Sequence, residues 1–250
     1  MQCRIPSRIP SGEDWRAAAE AIAAERTDRD LVVIAPAWAV QGRVHLGAQI
    51  DRRDIGRFDT SRYDRLFEVS FRRQRAPESA GLEPESTASF GEITLRRYDL
   101  PPAADVAYDL LDELGRCRCE RMRRPRPRFL VDHWWRTRLV IPVRLRRRPV
   151  ALSFDDVPLG TVLHGWAIVG RRDYREHSLP EGGPIRLAVS LDGEQLGEVR
   201  VTNFGPLEPF DIALPGAGTG TLRIEVSAPD HLERSFGFFA DVRRVEEVEL

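Results

Sequence analysis

At 250 residues and 42% hydrophobic content, the chain is long enough for one large or two small packed domains. A net charge of -1 argues against any global attraction to nucleic acid or acidic membranes. All 38 basic residues are arginine, which excludes Schiff-base chemistry and a phosphate-loop lysine.

The first predicted element is a helix over "SGEDWRAAAEAIAAERT". Ser11 caps it with Asp14 three residues on, and Trp15, Ala18, Ala19, Ile22 and Ala23 fall on one face. "DRDLVVIAP" follows as a fully apolar strand, the pattern of a sheet covered on both sides. The run "LVVIAPAWAV" is too short for a membrane span, and the N-terminus lacks the apolar core of a signal peptide. The expectation is therefore a soluble chain, either whole or a piece of a larger protein. "RLFEVSFR" alternates, with Phe67, Val69 and Phe71 on one side, and "FGEITLRRY" is a further strand. Residues 74–89 read as an exposed polar loop, and "ADVAYDLLDELG" as a short helix ending at Gly115, with a strand at its start as the alternative.

Beyond about residue 126 strands dominate. They are predicted over 127–131, 138–145, 149–154, 162–169, 185–191, 197–202, 210–214, 221–227 and 236–244. Asp192-Gly193 marks a two-residue hairpin, because both turn positions need positive φ. The predicted class is α+β: a small α/β N-terminal unit over 1–115, then an antiparallel jelly-roll-like β-sandwich over 116–250.

The stretch "DHWWRTRLVIPVRLRRR" is the leading candidate site. As a strand, 138–145 points Leu139, Ile141, Val143 and Leu145 one way and turns Arg138, Arg144 and Arg146 to the wet side. Trp134 and Trp135 are of the type that stacks on sugar rings, although neighbours on a strand face opposite sides. With His133, Arg136, Arg138 and Arg144 they form the predicted ligand-binding set. From Arg116 to Arg148 thirteen arginines face two acids, Glu120 and Asp132, a local charge of +11. Such a band is either an anion-binding face or is neutralised by acids elsewhere in the chain.

Other candidates are thinner. Asp155 and Asp156 sit where paired carboxylates at a sandwich edge hold calcium, or where acids simply mark a turn. Asp28 and Asp30 form a short Asp-x-Asp pattern used for metals by some nucleotide-sugar enzymes. Cys3, Cys117 and Cys119 are too few for a disulfide scaffold and lack zinc spacing, and the five histidines show no ligand spacing. No cofactor is expected, with calcium at Asp155 and Asp156 as the alternative.

"DWRAAAEAIAAERTDRDLVVIAPAW" resembles the soluble region that follows the membrane helices in bacterial glycosyltransferases of the protein-mannosyltransferase type, through Trp15 to Ala18 and Asp30 to Val33. "IRLAVSLDGEQLGEVRV" through "LRIEVS" is similar to galactose-binding-like sandwich modules of carbohydrate enzymes. The resemblance implies an extracytoplasmic accessory region contacting glycan or lipid-phosphate, with a membrane-protein partner and no catalytic residue carried over. The expected function is thus a non-catalytic binding module for carbohydrate or lipid-linked saccharide, associated with glycosyl transfer. The alternatives are an enzyme with a metal-assisted site between the two units, using Asp28 and Asp30, or a docking subunit of a membrane complex. Nucleic acid is disfavoured, since no recognition-helix pattern is present.

Overall fold

A computed structural model describes residues 9–36, 39–47, 49–50, 59–132, 137–170, 182–202, 204–229 and 234–245. The chain divides into two compact units, Met1–Ala103 and Ala104–Leu250, so the division falls ahead of the expected residue 115. Among the described residues no helix is long and apolar enough to cross a membrane.

The first unit opens with α1 (Gly12–Glu25). Ser11 Oγ accepts from the Asp14 amide and Asp14 Oδ2 accepts from the Ser11 amide, so two otherwise orphaned donors are satisfied reciprocally. Trp15, Ala18 and Ile22 bury the helix face against Phe67, Val69 and Ile93. Ala23 is exposed, and the apolar stripe is completed by Ala19 and Ala21 instead. β1 (Asp30–Ala35) runs parallel to β2 (Arg65–Phe71), with α2 (Val40–His45) in the crossover between them. β3 (Ser86–Phe90) and β4 (Ile93–Asp99) complete a mixed sheet in the order β1-β2-β4-β3.

Two expectations change here. β2 was expected to be half-wet, but both its faces are covered, and Glu68 and Ser70 are fully buried. Glu68 is satisfied by donors from Arg96 Nη1 at 2.7 Å, the Ala76 amide at 2.8 Å and Ser79 Oγ. The segment expected as a loop therefore folds a 3-10 turn, Pro77–Ser79, onto that carboxylate and then supplies edge strand β3.

The second unit contains β5 (Asp105–Asp109), β6 (Arg118–Glu120), β7 (Arg128–Val131), β8 (Thr137–Arg144), β9 (Val150–Pro158), β10 (Val162–Gly170), β11 (Ile185–Leu191), β12 (Glu194–Val201), β13 (Glu208–Ala213), β14 (Thr219–Ser227) and β15 (Ser235–Arg244). One sheet runs β13-β10-β15-β8-β7, with β5 also paired to β15, and the other runs β12-β11-β14-β9-β6. The described pairings in both are antiparallel. The helix expected near residues 104–115 is β5 followed by a 3-10 turn, Glu113–Arg116. Pairing with β15 decides for strand, and Asp109 Oδ1 accepts from the Leu111 and Asp112 amides to turn the chain.

The two sheets close on one core. Leu139, Ile141 and Val143 from β8 and Phe236 and Phe238 from β15 meet Leu152, Phe154, Leu187 and Ile224 from the facing sheet. Each large apolar side chain fully buried there contributes about 1.5–3 kcal/mol. The alternation read from the sequence is thus the inward face of a sandwich. Asp192 and Gly193 close the β11–β12 hairpin at φ 49° and 91°. Gly165, in central strand β10, lies where a Cβ would collide with the Phe210 ring and the Phe239 carbonyl.

Candidate functional site

β6 is the edge of one sheet and β7 the edge of the other, and the chain passes directly between them through residues 121–127. β8 and β9 lie one strand in from the same edges and are joined through residues 145–149. Both connections cross from sheet to sheet on one side of the sandwich. Between them lies a groove of about 1390 Å³.

Arg121 Nη1 donates to the Pro149 carbonyl at 3.0 Å and so ties one connection to the other. Arg124 Nε donates to the Cys117 carbonyl at 3.2 Å. The floor is apolar, with Leu130, Val143 and Phe236 buried there. Arg126 and Arg128 line the groove from the first connection and β7. Arg144, Arg146, Arg147 and Arg148 line it from β8 and the second connection. All six are exposed, and among the described residues none has a carboxylate partner.

The two acids of the band do not neutralise this groove. Glu120 is held by Arg223 through paired bonds of 2.6 and 3.0 Å, which keeps its carboxyl below the usual carboxylate range. Asp132 is buried on Arg138. Arg116 and Arg118 also find partners, in Glu113 and Asp155. Part of the band is therefore internally neutralised, and the part around the groove is not. Unpaired guanidinium groups gathered over an apolar floor focus a positive potential where an anion gains most.

Of the expected ligand set, Arg144 is in the groove. His133, Trp134, Trp135 and Arg136 lie outside the described residues. Arg138 corrects the expectation of an outward guanidinium: it is 4% exposed and donates to Asp132 from β8. The outer face of β8 is itself covered at that end, where Val140 packs with Leu130 and Ile168. Arg126, Arg128, Arg146, Arg147 and Arg148 count in the basic band but lie outside the expected ligand set. Their signal was present, since proline-interrupted arginine runs, "RPRPR" and "RLRRRP", mark connections rather than strands.

Asp155 and Asp156 are within β9, not after a strand. They form a bulge where the pairing with β14 shifts, and Asp156 has φ 53°. Asp155 Oδ1 accepts from Arg118 Nη2 at 2.6 Å and from Thr221 Oγ1 at 3.4 Å. Among the described residues no group of three or more His, Cys, Asp or Glu side chains clusters here or elsewhere. Asp30 is 1% exposed, with Arg65 Nε on one oxygen at 2.9 Å and Arg65 Nη2 on the other at 2.6 Å. That makes it a structural brace of β1 rather than half of a metal pair with exposed Asp28.

Cys117 and Cys119 are free thiols with their Sγ atoms 3.3 Å apart at the start of β6. Burial, then the hydrogen bond with Cys119, push the Cys117 thiol up to about 12. At neutral pH Cys117 is protonated and a poor nucleophile.

No family model matches the chain, and none of the curated proteins matches it. Solved structures to which it is similar include carbohydrate-binding modules. The CBM51-2 and INT domains of Clostridium perfringens ZmpB match with a TM-score of 0.34 and 12% identity, covering 52% of this chain and 28% of that one. CBM51 of Clostridium perfringens GH95, described in complex with methyl-galactose, matches with a TM-score of 0.30 and 14% identity over 47% of this chain and 81% of that one. The tandem CBM51 modules of a Streptococcus pneumoniae family 98 glycoside hydrolase give 0.38 and 9%, over 62% and 56%. The chain spans only 28% and 20% of the length of the first two structures it matches.

Proposed function

We propose that the second unit is a non-catalytic binding module for carbohydrate, with the arginine-lined groove as its site. One observation carries this reading. The groove offers exposed guanidinium donors over an apolar floor, and among the described residues its lining holds no carboxylate, histidine or cysteine for acid–base or nucleophilic work. Sugars present ring hydroxyls as acceptors and C–H faces to apolar surface, and this lining complements both. A jelly-roll arrangement of the two sheets is part of the same proposal.

The finer assignment is also a proposal. A saccharide carried on lipid-phosphate would meet the same guanidinium forks through its phosphate. Association with a glycosyl-transfer membrane protein, on the extracytoplasmic side, rests on the resemblance of the first residues. A reading frame that continues upstream into membrane helices supports it, and an unrelated upstream gene removes it. The ligands of the solved neighbours are not carried over.

The test of the binding reading is a glycan array probed with the full chain and with Arg144→Gln. Retention of wild type and its loss in the variant is the expected result. No retention by wild type removes the proposal. Trp134→Ala with Trp135→Ala tests the stacking role separately, since retention that survives this change assigns binding to the groove without the indoles.

A further inference from the structure

We propose that the ligand of the groove is a polyanionic polysaccharide, a chain bearing sulfate, uronate or phosphodiester charges along its length. This rests on the reading of the groove as a saccharide site and deepens it.

Three observations carry the inference. First, the charge is unopposed. Arg126, Arg128, Arg144, Arg146, Arg147 and Arg148 have no carboxylate partner among the described residues, whereas Arg116, Arg118 and Arg138 of the same band all do. Exposed cations without a carboxylate partner among the described residues leave like charges in repulsion, which a bound anion relieves. Second, the charge is spread over two walls. Arg126 and Arg128 come from the β6–β7 side, Arg144 from the end of β8, and the triplet Arg146 to Arg148 from the β8–β9 side. A single anionic group meets one or two guanidinium forks, while several spaced anions are needed to meet both walls. Third, the groove is large. At about 1390 Å³ it exceeds the roughly 300–1000 Å³ typical of small-molecule pockets, so a chain segment fits its scale better than one sugar.

A nucleic acid is also polyanionic, and the lining argues for the polysaccharide. Bases are gripped chiefly by stacking on open aromatic faces. Among the described residues two aromatics line the groove: Phe236 is buried, and Phe129 is half-buried and packed on the sandwich core. Charge and apolar aliphatic contact dominate what remains.

The experiment is native affinity electrophoresis of the full chain in gels containing dextran sulfate, polygalacturonate, neutral dextran, neutral galactan or polyuridylate. Dextran sulfate and polygalacturonate are expected to retard the protein, with retardation lost at about 1 M salt. Arg146→Gln with Arg147→Gln and Arg148→Gln is expected to weaken this roughly tenfold. Arg126→Gln with Arg128→Gln, on the opposite wall, is expected to weaken it as well. Arg72→Gln with Arg73→Gln, exposed residues of the first unit, is expected to leave it unchanged. Equal retardation by a neutral polysaccharide, weakened by the groove variants, overturns the polyanion inference and leaves the saccharide reading standing, whereas retardation insensitive to the groove variants overturns both. Retardation by polyuridylate above that by either charged polysaccharide overturns it in favour of nucleic acid. Retardation by none of the five overturns both.

Discussion

Nε and Nη2 of Arg138 both reach Oδ2 of Asp132, at 3.0 and 2.9 Å, with both residues buried. Asp132 directly follows β7, and Arg138 is the second residue of β8. Val131 and Thr137 form the last paired position of that hairpin, so the ion pair closes its base just beside the ladder. The sequence between the two residues holds His133, Trp134, Trp135 and Arg136. Removing one charge takes this contact from a buried ion, and Asp132→Asn is expected to destabilise the second unit by about 3–5 kcal/mol. Replacing both, as Asp132→Leu with Arg138→Met, is expected to recover much of that loss. Urea unfolding of the two variants beside wild type checks this, and Asp132→Asn as stable as wild type contradicts it.

Asp30 gives the fold an acid limit. Burial pushes its pKa upward, but hydrogen bonds from Arg65 and the Thr27 amide outweigh that, and the net direction is down. A carboxyl held below its unfolded value stabilises the fold fully above the ordinary carboxylate pKa of about 3.9 and loses this as pH falls further. Asp30→Asn is expected to lower Tm at neutral pH and to flatten the decline of Tm between about pH 5 and pH 2. Scanning calorimetry across that window reads both effects. An Asn variant with an unchanged acid limb shows that other carboxyls govern acid unfolding.

Cys117 is expected to resist alkylation. Its thiol is buried and pushed up to about 12, so at pH 8 it is almost entirely protonated. Iodoacetamide treatment of native protein, followed by peptide mass mapping, is expected to leave Cys117 unmodified and to label it only in denaturant. Cys119, half-buried beside it, is the more accessible of the pair. Native labelling of Cys117 ahead of Cys119 contradicts the placement of β6.

Much of the sandwich is legible in the sequence because it rests on local periodicity. Leu139, Ile141 and Val143 alternate onto the core, as do Ile185, Leu187 and Val189, and Asp192-Gly193 turns where its chemistry requires. What the sequence conceals depends on partners far away along the chain. Glu68 reads as the polar side of an alternating strand, yet Arg96 and Ser79 make its complete burial tolerable. Arg138 reads as a wet residue, yet Asp132 carries its charge into the interior. The groove was half visible. The arginine excess could be counted, but which arginines are neutralised depends on Glu113, Asp155 and Asp132, and no spacing rule reveals those pairings.

The pairing pattern also predicts unequal salt sensitivity. Exposed unpaired guanidinium groups interact through a screened field, whereas the buried Arg138–Asp132 and Arg65–Asp30 contacts are shielded from solvent ions. Ligand affinity is therefore expected to fall steeply between about 0.05 and 0.5 M salt, with Tm little changed. Calorimetric titration and thermal melts at matched salt separate the two. A parallel fall in both places the salt-sensitive charges in the fold rather than in the groove.

The most direct measurement is arginine footprinting with phenylglyoxal, free and with bound dextran sulfate, read residue by residue by mass spectrometry. The account predicts that Arg126, Arg128, Arg144, Arg146, Arg147 and Arg148 react in the free protein and become protected on binding, while buried Arg138 stays unreactive in both. Protection confined to arginines outside the groove, with these six equally reactive in both states, contradicts it.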